Sequence, residues 1–181
     1  MTNEEKRKAA KEKFDRAHSK TFGGQSISSS GLCELRKTGK KVVVVDVRTE
    51  AERKVSRISG SIDEDEFWKM DVKSMQKDTH VVGYCTIGFR SGMFAQKVKN
   101  KGIENVYNSE GVVLWTHDRK TEPLIRRDER GNEQPTKEVH VYGSDWDLAD
   151  EGYKTFKFST FENVTVGVAG TIGSTLRRWF Q

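Results

Sequence analysis

Residues 42–47 read Val-Val-Val-Val-Asp-Val. Five β-branched side chains in six positions do not alternate with polar ones, so a strand here must be covered on both faces. That is the condition of a parallel sheet with helices on either side. Val81-Val82-Gly83-Tyr84 carries the same signal and leads directly into Cys85, and Val106-Tyr107 is a third, shorter run. Between these strands lie helical stretches. Ser28, Ser29 and Ser30 offer N-caps for a helix through Leu32, Cys33 and Leu35 to Arg36, ended by Gly39. Thr49 and Glu52 have capping-box spacing for a short polar helix over 49–56. A helix is predicted from Glu64 to Met75, with Phe67, Trp68, Met70 and Val72 inward. Another runs from Ser91 to Asn100 on Met93, Phe94 and Val98, and a third starts at Gly111-Val112-Val113-Leu114-Trp115. Strands alternating with helices predict an α/β layer structure with right-handed crossovers.

Composition narrows the partners. The 181 residues suit one domain with tails. Hydrophobic residues are 34% and charged residues 33%, so a core requires the apolar residues to be concentrated. The formal charge is +5, but residues 1–20 carry +3 and residues 161–181 carry +1, which leaves the body nearly neutral. With no recognition-helix signature, RNA-binding aromatic motif or zinc-finger spacing, nucleic acid is not expected as a partner. No apolar run reaches membrane-span length, and the first 20 residues lack a signal-peptide core. Two cysteines, Cys33 and Cys85, point to a cytoplasmic or other reducing compartment. No metal-ligand spacing and no phosphate-binding loop is present, so no cofactor is expected.

The expected organisation is a charged arm over 1–22, a catalytic domain over 23–122, an extension over 123–160 packing on it, and an apolar Gly-containing tail over 161–181. The arm reads as a marginal helix or a disordered segment, with Ala9, Ala10, Ala17 and one Phe14 among charges. Residues 126–137 read as a loop or linker. Residues 138–148 regain Val139, Val141, Tyr142 and Trp146 and are expected to pack back on the body. The tail reads as an edge strand or a loose end. The rival reading is an interfacial membrane anchor or an oligomer contact.

The chemistry concentrates in Cys85-Thr86-Ile87-Gly88-Phe89-Arg90-Ser91. A cysteine at the carboxyl end of a buried parallel strand, followed by a helix, sits where open sheets bind ligands. Loop N–H groups, the helix N-terminus and Arg90 each favour a thiolate, and Gly88 permits a tight turn. The alternative is an inert buried cysteine in a β–α turn.

Several separated segments resemble the rhodanese-like sulfurtransferase family over roughly residues 25–120. Val45-Asp46-Val47-Arg48-Thr49-Glu50-Ala51-Glu52 is similar to its Asp-x-Arg-x-x-x-Glu segment, and Ile58-Ser59-Gly60-Ser61-Ile62 to its His-Ile-Pro-Gly-Ala-Ile turn. Tyr84 to Ser91 is similar to Tyr-Cys-x-x-Gly-x-Arg-Ser, and Glu110-Gly111 with Trp115 to the late Gly-Gly and Trp signature. The resemblance implies a central parallel sheet of about five strands flanked by helices. It implies that Cys85 takes a sulfane sulfur from a small anionic donor, thiosulfate or mercaptopyruvate-like, and passes it to a thiol or protein-thiol acceptor. Thr86, Ile87, Gly88, Phe89 and Arg90 would bind the donor. Asp46 and Arg48 would be mostly structural, with Arg48 also approaching the pocket mouth.

Arg57, Ser59 and Val112 depart from the family pattern, and Thr86 is neutral where thiosulfate-preferring relatives often carry a basic residue. Residues 138–146 are similar to a Lys-Val-His-Pro-Tyr…Trp tail of some single-domain relatives, with His140 expected to pack rather than catalyse. Four residues separate Cys85 from Arg90, where cysteine phosphatases need five, so phosphatase and arsenate-reductase chemistry fit less well. A non-catalytic binding module is the rival from another class. Cys33 reads as a small apolar side chain on the buried face of its helix rather than a resolving thiol.

Overall fold

The computed structural model describes residues 1–72, 75 and 77–158. Strands β1 (Ser26–Ile27), β2 (Val42–Asp46), β3 (Ile62–Asp63), β4 (His80–Tyr84) and β5 (Val106–Ser109) form one all-parallel sheet in the order β1-β5-β4-β2-β3. β2 and β4 are in register from Val42–His80 to Asp46–Tyr84, so their carboxyl ends finish level and deliver Asp46 and Cys85 to one edge. The helices are α1 (Asn3–Thr21), α2 (Ser29–Lys37), α3 (Glu50–Val55), α4 (Glu64–Lys69), α5 (Phe89–Asn100) and α6 (Gly111–His117).

The valine run is split between the two faces of the sheet, as a non-alternating strand demands. Val44, Val82 and Tyr84 pack with Leu32, Cys33, Val112, Val113 and Trp115, while Val45, Val81 and Cys85 pack with Phe67, Phe94 and Val98 on the other side. Cys33 and Cys85 therefore belong to opposite halves of the core, both as free thiols. Burial pushes the Cys33 thiol up, against the lowering pull of a hydrogen bond to the Glu122 backbone.

Two sequence expectations need correcting, and the arm's two alternatives are decided in favour of the helix. The basic arm is a full helix, α1, opened by a capping box between Thr2 and Glu5. Ala10, Phe14 and Ala17, spaced four and three apart, are buried on one face of it against α5 and α6. Asn3 also ties its start to the extension, with Nδ2 donating to Asp150 Oδ2 at 2.8 Å. The helix expected from Glu64 to Met75 stops at Lys69, where Met70 turns extended and exposed, while Val72 and Met75 still pack against the core from beyond the helix. Within the expected linker, β6 (Ile125–Arg127) and β7 (Glu133–Pro135) pair as an antiparallel hairpin. Its turn is closed by Asp128, whose carboxylate accepts the Arg130 and Asn132 N–H groups.

The hairpin also explains how two departures from the family pattern are tolerated. Arg57 exchanges both backbone hydrogen bonds with Ile125, and Ser59 Oγ donates to Glu133 Oε2 at 2.7 Å. Beyond it, β8 (Glu138–His140) pairs in parallel with β9 (Lys154–Phe156), and Val139, Val141, Leu148 and Ala149 enter the same cluster as Val44 and Val82. The apolar tail over 161–181, with its anchor and oligomer readings, lies outside the described residues. No helix among the described residues is long and apolar enough to cross a membrane.

Phe14→Ala is expected to lower the unfolding free energy by about 3–5 kcal/mol, the cost of emptying a buried aromatic site. Urea denaturation of the full chain measures it, and a loss under about 0.5 kcal/mol would show that α1 is not part of the fold.

Candidate active site

β4 ends in Tyr84 and hands the chain to Cys85, whose residue surface is only 2% exposed. The loop turns at Gly88, which has φ +97° and serves as the N-cap of α5 without a side-chain cap. This conformation favours glycine, and the neighbours require it too: a Cβ there would lie 2.4 Å from Phe14 Cδ2. The turn aims the Gly88 N–H at the cysteine sulfur, donating to Cys85 Sγ at 3.1 Å. Ser91 Oγ lies 3.4 Å from the same sulfur.

The loop is clamped from below by α6. Its first amides are free of intrahelical partners and bind the loop carbonyls instead: Val112 N–H donates to Cys85 O at 3.0 Å and Val113 N–H to Thr86 O at 3.2 Å. So close an approach leaves no room at Gly111, where a Cβ would fall 2.6 Å from Thr86 O and φ is +85°. One glycine here meets the steric need, and Val112, in place of a second, is buried in the core.

Arg90 lies beside the loop but is not free. Its Nη1 and Nη2 donate to Glu52 Oε2 and Oε1, both at 2.7 Å, and Nη2 also donates to Thr86 Oγ1 at 3.1 Å. Thr86 Oγ1 in turn donates to Glu52 Oε1 at 3.1 Å. The Tyr142 ring covers one face of the guanidinium, 5.5 Å from Cζ. Glu52 has no solvent exposure. Burial pushes its carboxyl up, but the charge and hydrogen bonds of Arg90, with Arg48 behind, outweigh that and hold it well below the usual carboxylate range.

Arg48 sits elsewhere. Its Nε and Nη2 donate to Asp46 Oδ1 and Oδ2 at 2.9 and 2.8 Å, and Nη2 also donates to Ser56 O at 2.6 Å. Tyr84 Oη completes the cluster by donating to Asp46 Oδ2 at 2.5 Å. Burial and the Asp46 charge push the Tyr84 hydroxyl up. The structural part expected of Asp46 and Arg48 fits this cluster. An approach of Arg48 to a pocket mouth does not, because its side chain is wholly covered.

The loop from Cys85 to Phe89 is buried throughout, with Arg90 at its half-covered end. From the sequence, Glu52 has a capping spacing and a place in the Asp-x-Arg-x-x-x-Glu segment, but no partner. It does cap, accepting the Thr49 N–H at 3.0 Å, and it is also the partner of Arg90 across 38 positions. Asn108 had no assigned role. A polar residue in an apolar strand, at the ligand edge of a parallel sheet, was the available signal.

The family described as Rhodanese-like domain matches residues 32–118. A curated tRNA uridine(34) hydroxylase of Protochlamydia amoebophila (strain UWE25) is 29% identical over 100 residues, covering 50% of this chain and 31% of that protein. The chain thus spans about a third of that relative's length. Among solved structures, a rhodanese-like domain protein from Staphylococcus aureus is similar with a TM-score of 0.46 at 26% identity, covering 57% of this chain and 99% of that one. A protein of unknown function, described as a possible tyrosine phosphatase, from Rhodopseudomonas palustris CGA009 is similar with a TM-score of 0.45 at 28% identity. That likeness covers 59% of this chain and 87% of that one.

Two outcomes follow from this geometry. Gly111→Ala is expected to cost about 1–3 kcal/mol of stability, through its positive φ and its contact with the loop carbonyls. A thermal or urea melt reads it, and an unchanged midpoint would contradict the close packing. Because the folded Glu52 carboxyl is depressed, its pairing stabilises the protein above the unfolded value, near pH ~4.3, and that stability is lost as pH falls. Glu52→Gln should flatten this acid dependence and cost about 3–5 kcal/mol near neutrality by leaving Arg90 buried and unpaired. Equal slopes of stability against pH for both proteins below pH ~4.3 would refute the pairing.

Proposed function

With residues 32–118 belonging to the rhodanese-like domain family, we propose that the protein is a sulfurtransferase using Cys85 as its nucleophile. The Cys85 thiolate attacks the sulfane sulfur of a donor. The donor's bond to that sulfur breaks, its electron pair leaves with the remaining fragment, and Cys85 holds a persulfide. An acceptor thiolate, or cyanide, then attacks the outer sulfur and releases Cys85 as a thiolate. The observation that carries this reading is the Gly88 N–H on Cys85 Sγ at 3.1 Å, in a loop with four residues between Cys85 and Arg90. It supplies a fixed donor for sulfur charge at the head of α5.

Thr86 to Arg90 line the site in this reading, and Arg48 supports it from behind. Thiosulfate- and mercaptopyruvate-like anions are candidate donors. The two hydrogen bonds from Arg90 to Glu52 argue that neither binds through a fork from that arginine, unless Glu52 lets go. A donor that needs no such fork, a persulfide carried on a small or protein thiol, suits the neutralised loop better. A thiol or protein thiol in a reducing compartment is the acceptor class. The tRNA chemistry named for the relative is not carried over, because the match covers 31% of that protein.

Incubation with thiosulfate, mercaptopyruvate or a low-molecular-weight persulfide should raise the intact mass by one sulfur atom, removable by a reductant, and Cys85→Ser should abolish the gain. The persulfide donor should load Cys85 at least about tenfold faster than thiosulfate, which corresponds to ~1.4 kcal/mol of barrier. No added sulfur from any of the three donors would leave a non-catalytic binding module as the better reading.

A further inference from the structure

Ser91 Oγ lies 3.4 Å from Cys85 Sγ and 2.7 Å from Asn108 Oδ1. Both contacts are placed for the serine to donate, yet a hydroxyl has one proton. The shorter contact is at the normal O–H···O distance, so the proton goes to Asn108 while the amide keeps its oxygen there.

The amide is held in that orientation twice over. Asn108 Nδ2 donates to Gly88 O at 2.9 Å, and a carbonyl can only accept, so the nitrogen belongs on that side. Its other proton meets His18 Nδ1 at 3.2 Å. The histidine tautomer follows in the same way: Nε2 faces the Gly24 carbonyl at 3.2 Å and carries the proton, which leaves Nδ1 as the acceptor. The His18 ring is stacked on Phe14, 5.5 Å between centroids, the same Phe14 that rests on Gly88.

We propose that Asn108, held by His18 of the N-terminal helix, is a positioning residue for the nucleophile. It accepts the Ser91 hydroxyl's hydrogen bond and so turns a serine lone pair toward Cys85. Ser91 then accepts from the Cys85 thiol instead of donating to its thiolate, and the resting protein guards the sulfur. The inference rests on Cys85 being the nucleophile of the proposed reaction, but alkylation reads it with no sulfur donor present.

The test is the pH–rate profile for iodoacetamide alkylation of Cys85 in the full chain, followed by peptide mass so that Cys33 does not contribute. Asn108→Leu frees the Ser91 proton for the thiolate. The profile midpoint should move to lower pH, with alkylation about three- to tenfold faster at a pH below both midpoints. In a Ser91→Ala background the same substitution should add no shift, because the effect needs the serine proton. His18→Leu, on a half-exposed position of α1, should move the midpoint in the same direction by less. A midpoint unchanged or raised in a folded Asn108→Leu protein, or a shift that persists without Ser91, overturns the proposal. If Asn108→Leu does not fold, an unchanged midpoint in His18→Leu overturns it alone.

Discussion

Glu52 is a carboxylate with no exposure to solvent, and much of the carboxyl edge of the sheet is arranged to keep it charged. Its two oxygens take the Thr49 N–H and hydroxyl, the Thr86 hydroxyl and both ends of the Arg90 fork. Left alone, a buried carboxylate would cost several kcal/mol or pick up a proton. With five hydrogen bonds and a facing cation it becomes a fastener. It joins the first turn of α3 to the loop after β4 and the adjoining head of α5, which lie 34 and 38 positions further along the chain. The Asp46–Arg48–Tyr84 cluster does the same one layer deeper, where Tyr84 Oη also accepts the Ile58 N–H at 3.1 Å.

This fastening changes the electrostatics around Cys85. An arginine near a thiolate ordinarily supplies a full positive charge. Here its charge is largely spent on Glu52, and one of its faces is covered by Tyr142. What remains pointed at the sulfur is a backbone amide and the start of α5, which are partial charges fixed by the fold. Partial charges of this kind fit the thiolate–persulfide cycle proposed for Cys85, because they help both forms without demanding an oxyanion.

How much of this was legible depended on the range of each interaction. The valine run announced a two-faced parallel strand because burial on both faces removes alternation locally, within six residues. The Thr49–Glu52 box was legible because its partners are three apart. The second use of Glu52 was not, because Arg90 is 38 positions away and nothing local to either residue requires the other. The N-terminal helix was hidden for a different reason. Its inward face is Ala10, Phe14 and Ala17, three apolar residues among eleven charges in the first 20 positions, too weak a stripe to call a core helix by periodicity. Only the surface waiting on α5 and α6 makes it one. The 125–135 hairpin was missed because charged strands at an edge, with Gly131 and Pro135, have the composition of a linker.

The matched family segment ends at residue 118, yet the cysteine loop is finished by residues outside it. From one side α1 sets Phe14 on Gly88 and His18 on Asn108. From the other, the extension sets Tyr142 on Arg90 from a left-handed backbone, φ 68°, which costs a bulky side chain about 1–2 kcal/mol. That conformation is held by the Tyr142 N–H donating to His140 Nδ1 and by the Phe158 N–H donating to Tyr142 O, both at 3.0 Å. His140 thus does its work as a packing and hydrogen-bonding residue in the extension. A strained turn kept by two hydrogen bonds, with its side chain on the arginine that Glu52 already holds, makes the extension part of the site. The two added segments and the buried carboxylate act on the same seven-residue loop, and its geometry is a product of the whole described chain.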